Sequence, residues 1–343
     1  MPPEILYAVS FAIALFIALA AAPFCRFIAI KLNILDKPLS EIKTHARSVP
    51  YLGGAAIALG WLISLSVIRI FTHFPDGTLR SLRGIIYGSL IILLLGFIDD
   101  KKYKGLGFKS KFLIQTAAAA IVVFGFDIRI NFIPIYWFSC AVSILWIVGV
   151  TNAFNIIDIM DGLSSGIAFI AALAFLFISL PTEMIYVNFC SAALAGGLLG
   201  FMPFNLSKSK KIFMGDMGSL FIGFILASLA MGTSFTAINE IGLFAPLLIL
   251  AAPICETFFV SVIRLSKGKS PFLGSKDHYA LRLEKLGFSR PQILLITYAV
   301  CLIFCGCAFL FTAISAVYSL LVFSLVLFLL WAASLKLATV NID

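Results

Sequence analysis

Long apolar runs, each broken by a short charged or Gly/Pro-rich segment, recur from one end of this sequence to the other. Inside a bilayer no water is present to satisfy the backbone, so such runs must form helices that bond their own amides and carbonyls. A crossing takes about 20 residues, somewhat fewer where neighbouring helices protect the ends. The breaks give eleven expected spans, at 5–25, 52–70, 84–98, 112–126, 133–150, 163–180, 185–202, 218–235, 241–262, 292–312 and 315–335. The expected fold is therefore all-α, one polytopic membrane domain over residues 1–343 with about 11 transmembrane helices. The run from Ile5 to Phe24 has no basic leader and no prominent small-residue cleavage site. It reads as the first span and not as a removable signal.

Composition agrees with that reading. Hydrophobic residues make up 62% of the chain and charged ones 12%, whereas soluble domains carry roughly a quarter charged. Basic residues sort to one side: 21 of the 25 fall in loops 26–51, 99–111, 203–217 and 264–290 and the C-terminal tail. The positive-inside rule makes these loops cytoplasmic, with the N-terminus outside and the C-terminus inside. This bias and anionic headgroups account for the net charge of +9, so no nucleic-acid partner is expected. Eleven of the 16 acids lie on the same face, an asymmetry that membrane insertion does not require. The seven cysteines lie in or beside apolar runs without paired metal-type spacing, and read as small buried side chains.

The polar motifs collect at the inner ends of the spans. LLGFIDD ends the third span, and Asp99 and Asp100 stand where the helix dipole opposes negative charge. They must meet a cation or lysine, or be solvated ends paired to Lys101 and Lys102. Lys111 follows, as a site residue or a snorkelling anchor, ahead of Gln115. In TNAFNIIDIMDGLSSG, Asn152, Asn155, Asp158 and Asp161 recur every three residues. If this stretch is helical, the last three share one side and offer oxygen ligands to a hard cation such as Mg²⁺. In FNLSKSKKIFMGDMGSL, Asn205 and three lysines precede Asp216, so a helix N-terminus would face phosphate while Asp216 holds a metal, or Asp216 would be an ordinary cap. The longest inner loop carries His278 and Arg282 four residues apart, placed to grip a diphosphate together if helical. His45, beside Lys43, is like His278 either a phosphate-facing site residue or an incidental histidine of a solvated loop.

The order DKP…K-x-H…P…GG, GxxDD, NAxNxxDxxDG, F-M-G-D-x-G-S and HxxxRLxxLG, over roughly residues 31–290, resembles the polyprenyl-phosphate N-acetylhexosamine-1-phosphate transferase superfamily. The resemblance implies transfer of a sugar phosphate from a UDP-N-acetylhexosamine to a polyprenyl phosphate such as undecaprenyl phosphate, with release of UMP. It implies Mg²⁺, with Mn²⁺ as an alternative. On this likeness Asn155 and Asp216 match metal-ligand positions, and Asp158 and Asp161 match essential aspartates of the nucleotide site. Asp99 and Asp100 match an acidic pair, one member of which deprotonates or positions the acceptor. Lys43, Lys111, Asn152 and Asn205 match polar substrate positions, and His278 and Arg282 match a histidine loop at the sugar-nucleotide pocket. A homodimer follows by analogy alone. The implied setting is the bacterial inner membrane, active site to the cytoplasm, at the start of O-antigen or capsule synthesis.

Three departures stand out: Ile159 and Met160 replace Gly and an aliphatic residue, Glu256 replaces Asp in P-x-x-E, and Ala280 and Leu281 replace further histidines. The last argues against the pentapeptide-carrying branch. Two other classes fit the same sequence. A transporter would suit the spans but would place its ionisable groups near the midplane. An inactive scaffold would fit the altered histidine loop, but not the retention of every aspartate in the three acidic motifs.

Overall fold

The computed structural model describes residues 3–36, 48–72, 74–102, 105–182, 184–233 and 240–342. It is all-α apart from one small antiparallel pairing of β1 (Leu35–Asp36) with β2 (Val49–Pro50). The described residues fall into two compact units, 3–233 and 240–342.

The first unit holds α1 (Pro3–Lys31), α2 (Gly53–Phe71), α3 (Asp76–Lys101), α4 (Phe108–Ala120), α5 (Tyr136–Ile157), α6 (Leu163–Ser179), α7 (Ile185–Asn205) and α8 (Gly215–Gly232). Its packing follows from small residues. The buried face of α1 runs Tyr7, Ser10, Ala14, Ala18, Ala22, Cys25 and Ala29, a helical stripe with little bulk. Against it α7 sets Gly196 and Gly200, where an added methyl would meet the Phe11 and Leu15 carbonyls at 2.1 and 2.4 Å. Lipid tails are as apolar as leucine, so helices in a bilayer associate by such close contact and not by hiding oil from water. Inside this packing Ser10 and Ser64 satisfy one another, with their hydroxyls 2.8 Å apart.

The second unit holds α9 (Ala245–Ile249), α10 (Ala251–Ser266), α11 (Tyr279–Lys285), α12 (Arg290–Phe311) and α13 (Ala316–Ala338). The start of α12 is written in FSRPQ: Ser289 and Gln292 form a capping box with Pro291 in the first turn.

Among the described residues, nine helices are long and apolar enough to cross a membrane. Two of the eleven expected spans differ. Within the expected 163–180 span, α6 covers only the 17 residues Leu163–Ser179, and the expected span at 241–262 is broken, with a 68° bend between 242–249 and α10. Pro246 and Pro253 flank the break, and each removes an amide that a continuous helix would use. The expected span at 84–98 is longer, since α3 takes in Arg80 and Arg83 at one end and both aspartates at the other.

Candidate functional site

In the first unit the motifs lie at alternating helix ends: the C-termini of α3, α5 and α7 and the N-termini of α4, α6 and α8. Packing of α3 and α5 on α8 gathers those ends on one side. Lys111, in the first turn of α4, places Nζ 3.2 Å from Asp99 Oδ2 and 2.5 Å from Asp216 Oδ2. Asn155 donates from Nδ2 to Asp216 Oδ1 and to Ser219 Oγ, both at 2.9 Å. Asp99 also accepts the Leu106 amide at 2.5 Å. Residues 99, 111, 155 and 216, far apart in sequence, are thus one hydrogen-bonded cluster. Lys111 and not Lys101 or Lys102 is the ion-pair partner of Asp99.

Asp100 points elsewhere. Its two oxygens accept the backbone amides of Asp216 and Met217 at 2.9 and 3.0 Å. Two amides of the first turn of α8, the helix start expected to face phosphate, are thus engaged by Asp100.

The three-residue period of Asn155, Asp158 and Asp161 does not describe a helix face. α5 ends at Ile157, Asp158 sits at its cap with φ −80° and ψ 58°, and Asp161 lies in the turn before α6. Gly162 permits that turn at φ +79°. Asn205 binds it by accepting the Gly162 amide at 2.7 Å and donating to the Ile212 carbonyl at 3.2 Å. Lys211, not singled out in the sequence reading, pairs with Asp161 at 2.5 Å and stands 5.0 Å from the centre of the Phe213 ring. Its place in SKKIFMGD was the available signal. Burial, reinforced by the charges of Asp216 and Asp161, pushes the Asp158 carboxyl well above its ordinary pKa.

Asn152 faces α4, where its amide and that of Gln115 bond reciprocally at 2.5 and 3.4 Å. Tyr51 was also missed. Its phenol hydrogen-bonds Asp36, and burial together with the charges of Asp36, Asp100 and Asp216 raises its pKa. Lys43 and His45 lie outside the described residues.

The donors suit Mg²⁺ in one particular way. Mg²⁺ is commonly held by one or two carboxylates and completed by substrate phosphates. Asp216, Ser219 and, after half a turn of its amide, Asn155 supply hard oxygens at one place. Among the described residues no three acids, histidines or cysteines converge to make an all-protein site.

In the second unit His278 and Arg282 are buried and committed to internal partners. His278 Nδ1 lies 2.8 Å from Glu256 Oε1, with Glu256 itself 2% exposed. Glu256 also receives the Tyr279 amide at 3.3 Å. Arg282 donates to the Leu337, Ala338 and Val340 carbonyls at 3.0, 3.2 and 2.5 Å, and to Asp277 Oδ1 at 3.3 Å. It therefore closes the end of α13, where the helix dipole favours a cation. The two side chains do not form a joint grip here. Ala280 is wholly buried, which accounts for a small residue where a histidine was expected.

The profile of glycosyl transferase family 4 matches residues 82–234, which contain every cluster residue of the first unit from Asp99 to Asp216. The chain is 32% identical over 306 residues to a probable undecaprenyl-phosphate N-acetylglucosaminyl 1-phosphate transferase of Bacillus subtilis (strain 168), covering 86% of this chain and 82% of that one. It is 29% identical over 304 residues to the decaprenyl-phosphate N-acetylglucosaminephosphotransferase of Mycobacterium tuberculosis, covering 80% and 74%. A phospho-N-acetylmuramoyl-pentapeptide-transferase of Limosilactobacillus fermentum is 35% identical over 193 residues, 53% of this chain and 59% of that one.

Proposed function

The chain belongs to the polyprenyl-phosphate N-acetylhexosamine-1-phosphate transferases of glycosyl transferase family 4, and on that premise we propose that it moves GlcNAc-1-phosphate, or a closely related sugar phosphate, from its UDP-linked donor to undecaprenyl phosphate. The observation that carries this reading is the cluster of Asp99, Lys111, Asn155 and Asp216 at neighbouring helix ends. A site at helix ends suits a reaction between a water-soluble donor and a phosphate anchored in the bilayer. Lysines in the neighbouring loops support a cytoplasmic setting at the inner membrane. Relatives named for N-acetylglucosamine transfer match over most of the chain, which supports GlcNAc. An initiating step of envelope polysaccharide synthesis follows from that chemistry.

In the proposed transfer an acceptor phosphate oxygen attacks the β-phosphorus of the donor. The bond from that phosphorus to the α,β-bridging oxygen breaks, and UMP leaves. The protein's part is positioning and charge neutralisation, without a covalent intermediate on the chain. Lys111 is the countercharge between two carboxylates and the cation at hand for a phosphate oxygen. Asp99, held by Lys111 and the Leu106 amide, is the acid set to orient or deprotonate the acceptor. Mg²⁺, held by Asp216 with Asn155 and Ser219, would neutralise the diphosphate.

The test is incorporation of labelled UDP-GlcNAc and UDP-GalNAc into organic-extractable lipid by purified protein with undecaprenyl phosphate and Mg²⁺, beside EDTA and Asp216→Asn controls. Label that needs metal and wild-type protein is the expected result. Silence from folded protein with every UDP-sugar tried would overturn the reading in favour of a scaffold or a transporter.

A further inference from the structure

The two acids of the Asp99–Asp100 pair face different groups, and we infer that Asp100 is a positioning residue that acts through the first turn of α8 and not on the substrate. The inference rests on the transfer reaction proposed above, in which Asp216 serves the diphosphate.

Asp100 Oδ1 accepts the Asp216 amide at 2.9 Å and Oδ2 accepts the Met217 amide at 3.0 Å. A carboxylate at the end of α3 is opposed by its own helix, but here it meets the positive end of another. Charge-assisted bonds to two otherwise unpaired amides supply what α8 lacks, since no side chain of its own caps it. The residue held is the one that matters for the reaction: Asp216 contributes its amide to Asp100 and its carboxylate to Lys111 and Asn155.

The backbone around the contact is shaped to permit it. Gly96, one turn before Asp100, brings α3 so close that an added methyl would lie 2.4 Å from Met217 Cα and 2.6 Å from the Asp216 carbonyl oxygen. A methyl at Gly215 would lie 2.4 Å from Asp100 Oδ2, and Gly215 has a left-handed φ of +73°. A proton taken up by Asp100 would turn its charge-assisted bonds to both amides into weaker neutral ones and loosen the cap on α8. Asp99 caps no helix, since its partners are the Lys111 ammonium and the Leu106 loop amide.

Purified wild type, Asp99→Asn, Asp100→Asn, Asp100→Ala and Gly215→Ala would be compared in three ways: amide hydrogen exchange of the peptide spanning 213–222, Mn²⁺ affinity from the spectrum of free Mn²⁺, and transfer rate against pH. Removing the cap should speed exchange at 216 and 217 by roughly tenfold or more, the ratio for one charge-assisted hydrogen bond. It should weaken Mn²⁺ binding by roughly 10–100-fold, as loss of a residue that orients a ligand does. Gly215→Ala keeps both carboxylates yet displaces Asp100, so it should reproduce both effects. Asp99→Asn should leave exchange at 216 and 217 unchanged, and Asp100→Asn should keep the acidic limb of the pH–rate profile.

Protection that survives Asp100→Ala overturns the inference. So does faster exchange with unaltered Mn²⁺ affinity and kinetics, or an acidic limb lost in Asp100→Asn with metal binding intact. If Asp100→Ala fails to fold, Asp100→Asn and Gly215→Ala decide the matter. If the wild type binds Mn²⁺ but transfers nothing, the proposed reaction falls, while exchange and Mn²⁺ affinity still decide whether Asp100 acts through α8.

Discussion

Burial alone would raise the pKa of Asp277, but hydrogen bonds from Lys267 and Ser275 and the charges of Lys267 and Arg282 outweigh it and hold the carboxyl below its usual range. A depressed folded-state pKa gives stability that is present above the unfolded value and is lost as pH falls through the folded one. Thermal unfolding in detergent should therefore show a falling midpoint on acidification below about pH 4, with part of that fall absent in Asp277→Asn. Arg282 has more at stake. It is 2% exposed and donates to three carbonyls of the C-terminal segment as well as to Asp277. Arg282→Met should cost about 3–5 kcal/mol of stability by orphaning a buried carboxylate and those carbonyls. Arg282→Lys should restore only part, because an ammonium lacks the planar fork. Equal unfolding midpoints for wild type and Arg282→Met would show that the contact carries no stability.

The helices of the first unit depend on backbone contacts that no side chain can cushion. At the crossing of α2 and α8 a methyl on Gly54 would stand 2.3 Å from the Gly218 nitrogen and 2.4 Å from its Cα. The segment leading into α8 fixes the same place, since the Gly53 and Gly54 amides donate to the Phe213 and Met214 carbonyls at 2.9 Å each. Gly54→Ala should therefore destabilise by about 1–3 kcal/mol, the cost of overpacking, and should also shift the start of α8 with Asp216 on it. The readout is transfer activity per folded molecule beside the unfolding midpoint. Gly149, whose added methyl meets nothing within 4 Å, is the control expected to leave both unchanged.

For the whole chain, the basic loops predict an orientation that can be measured directly. Single cysteines at Lys208 and Asp127, both exposed, should react with a membrane-impermeant maleimide from opposite sides. Lys208→Cys should label in inside-out vesicles and Asp127→Cys in right-side-out ones. Four of the seven native cysteines are buried, which keeps background labelling low. Labelling of both from one side would refute the alternation of spans through the first unit.

The sequence by itself determined the all-α membrane architecture, because long apolar runs in hydrocarbon have no other way to satisfy their backbones. It also singled out the aspartates and asparagines of the candidate site, since carboxylates gather at the inner span ends although membrane insertion does not ask for them there. Period and spacing could not say how those residues meet. The regular step from Asn155 to Asp161 is a helix end and a turn, and Asp99 and Asp100, adjacent in sequence, face a lysine and the start of another helix. Arg282 shows the same limit, because its partners lie on a tail more than fifty residues away. Burial also decided Arg282's role, since a fully enclosed guanidinium must spend its donors on nearby carbonyls and carboxylates. Which polar group stabilises a helix and which is left to meet a phosphate depends on contacts between segments distant in sequence, and packing alone sets those.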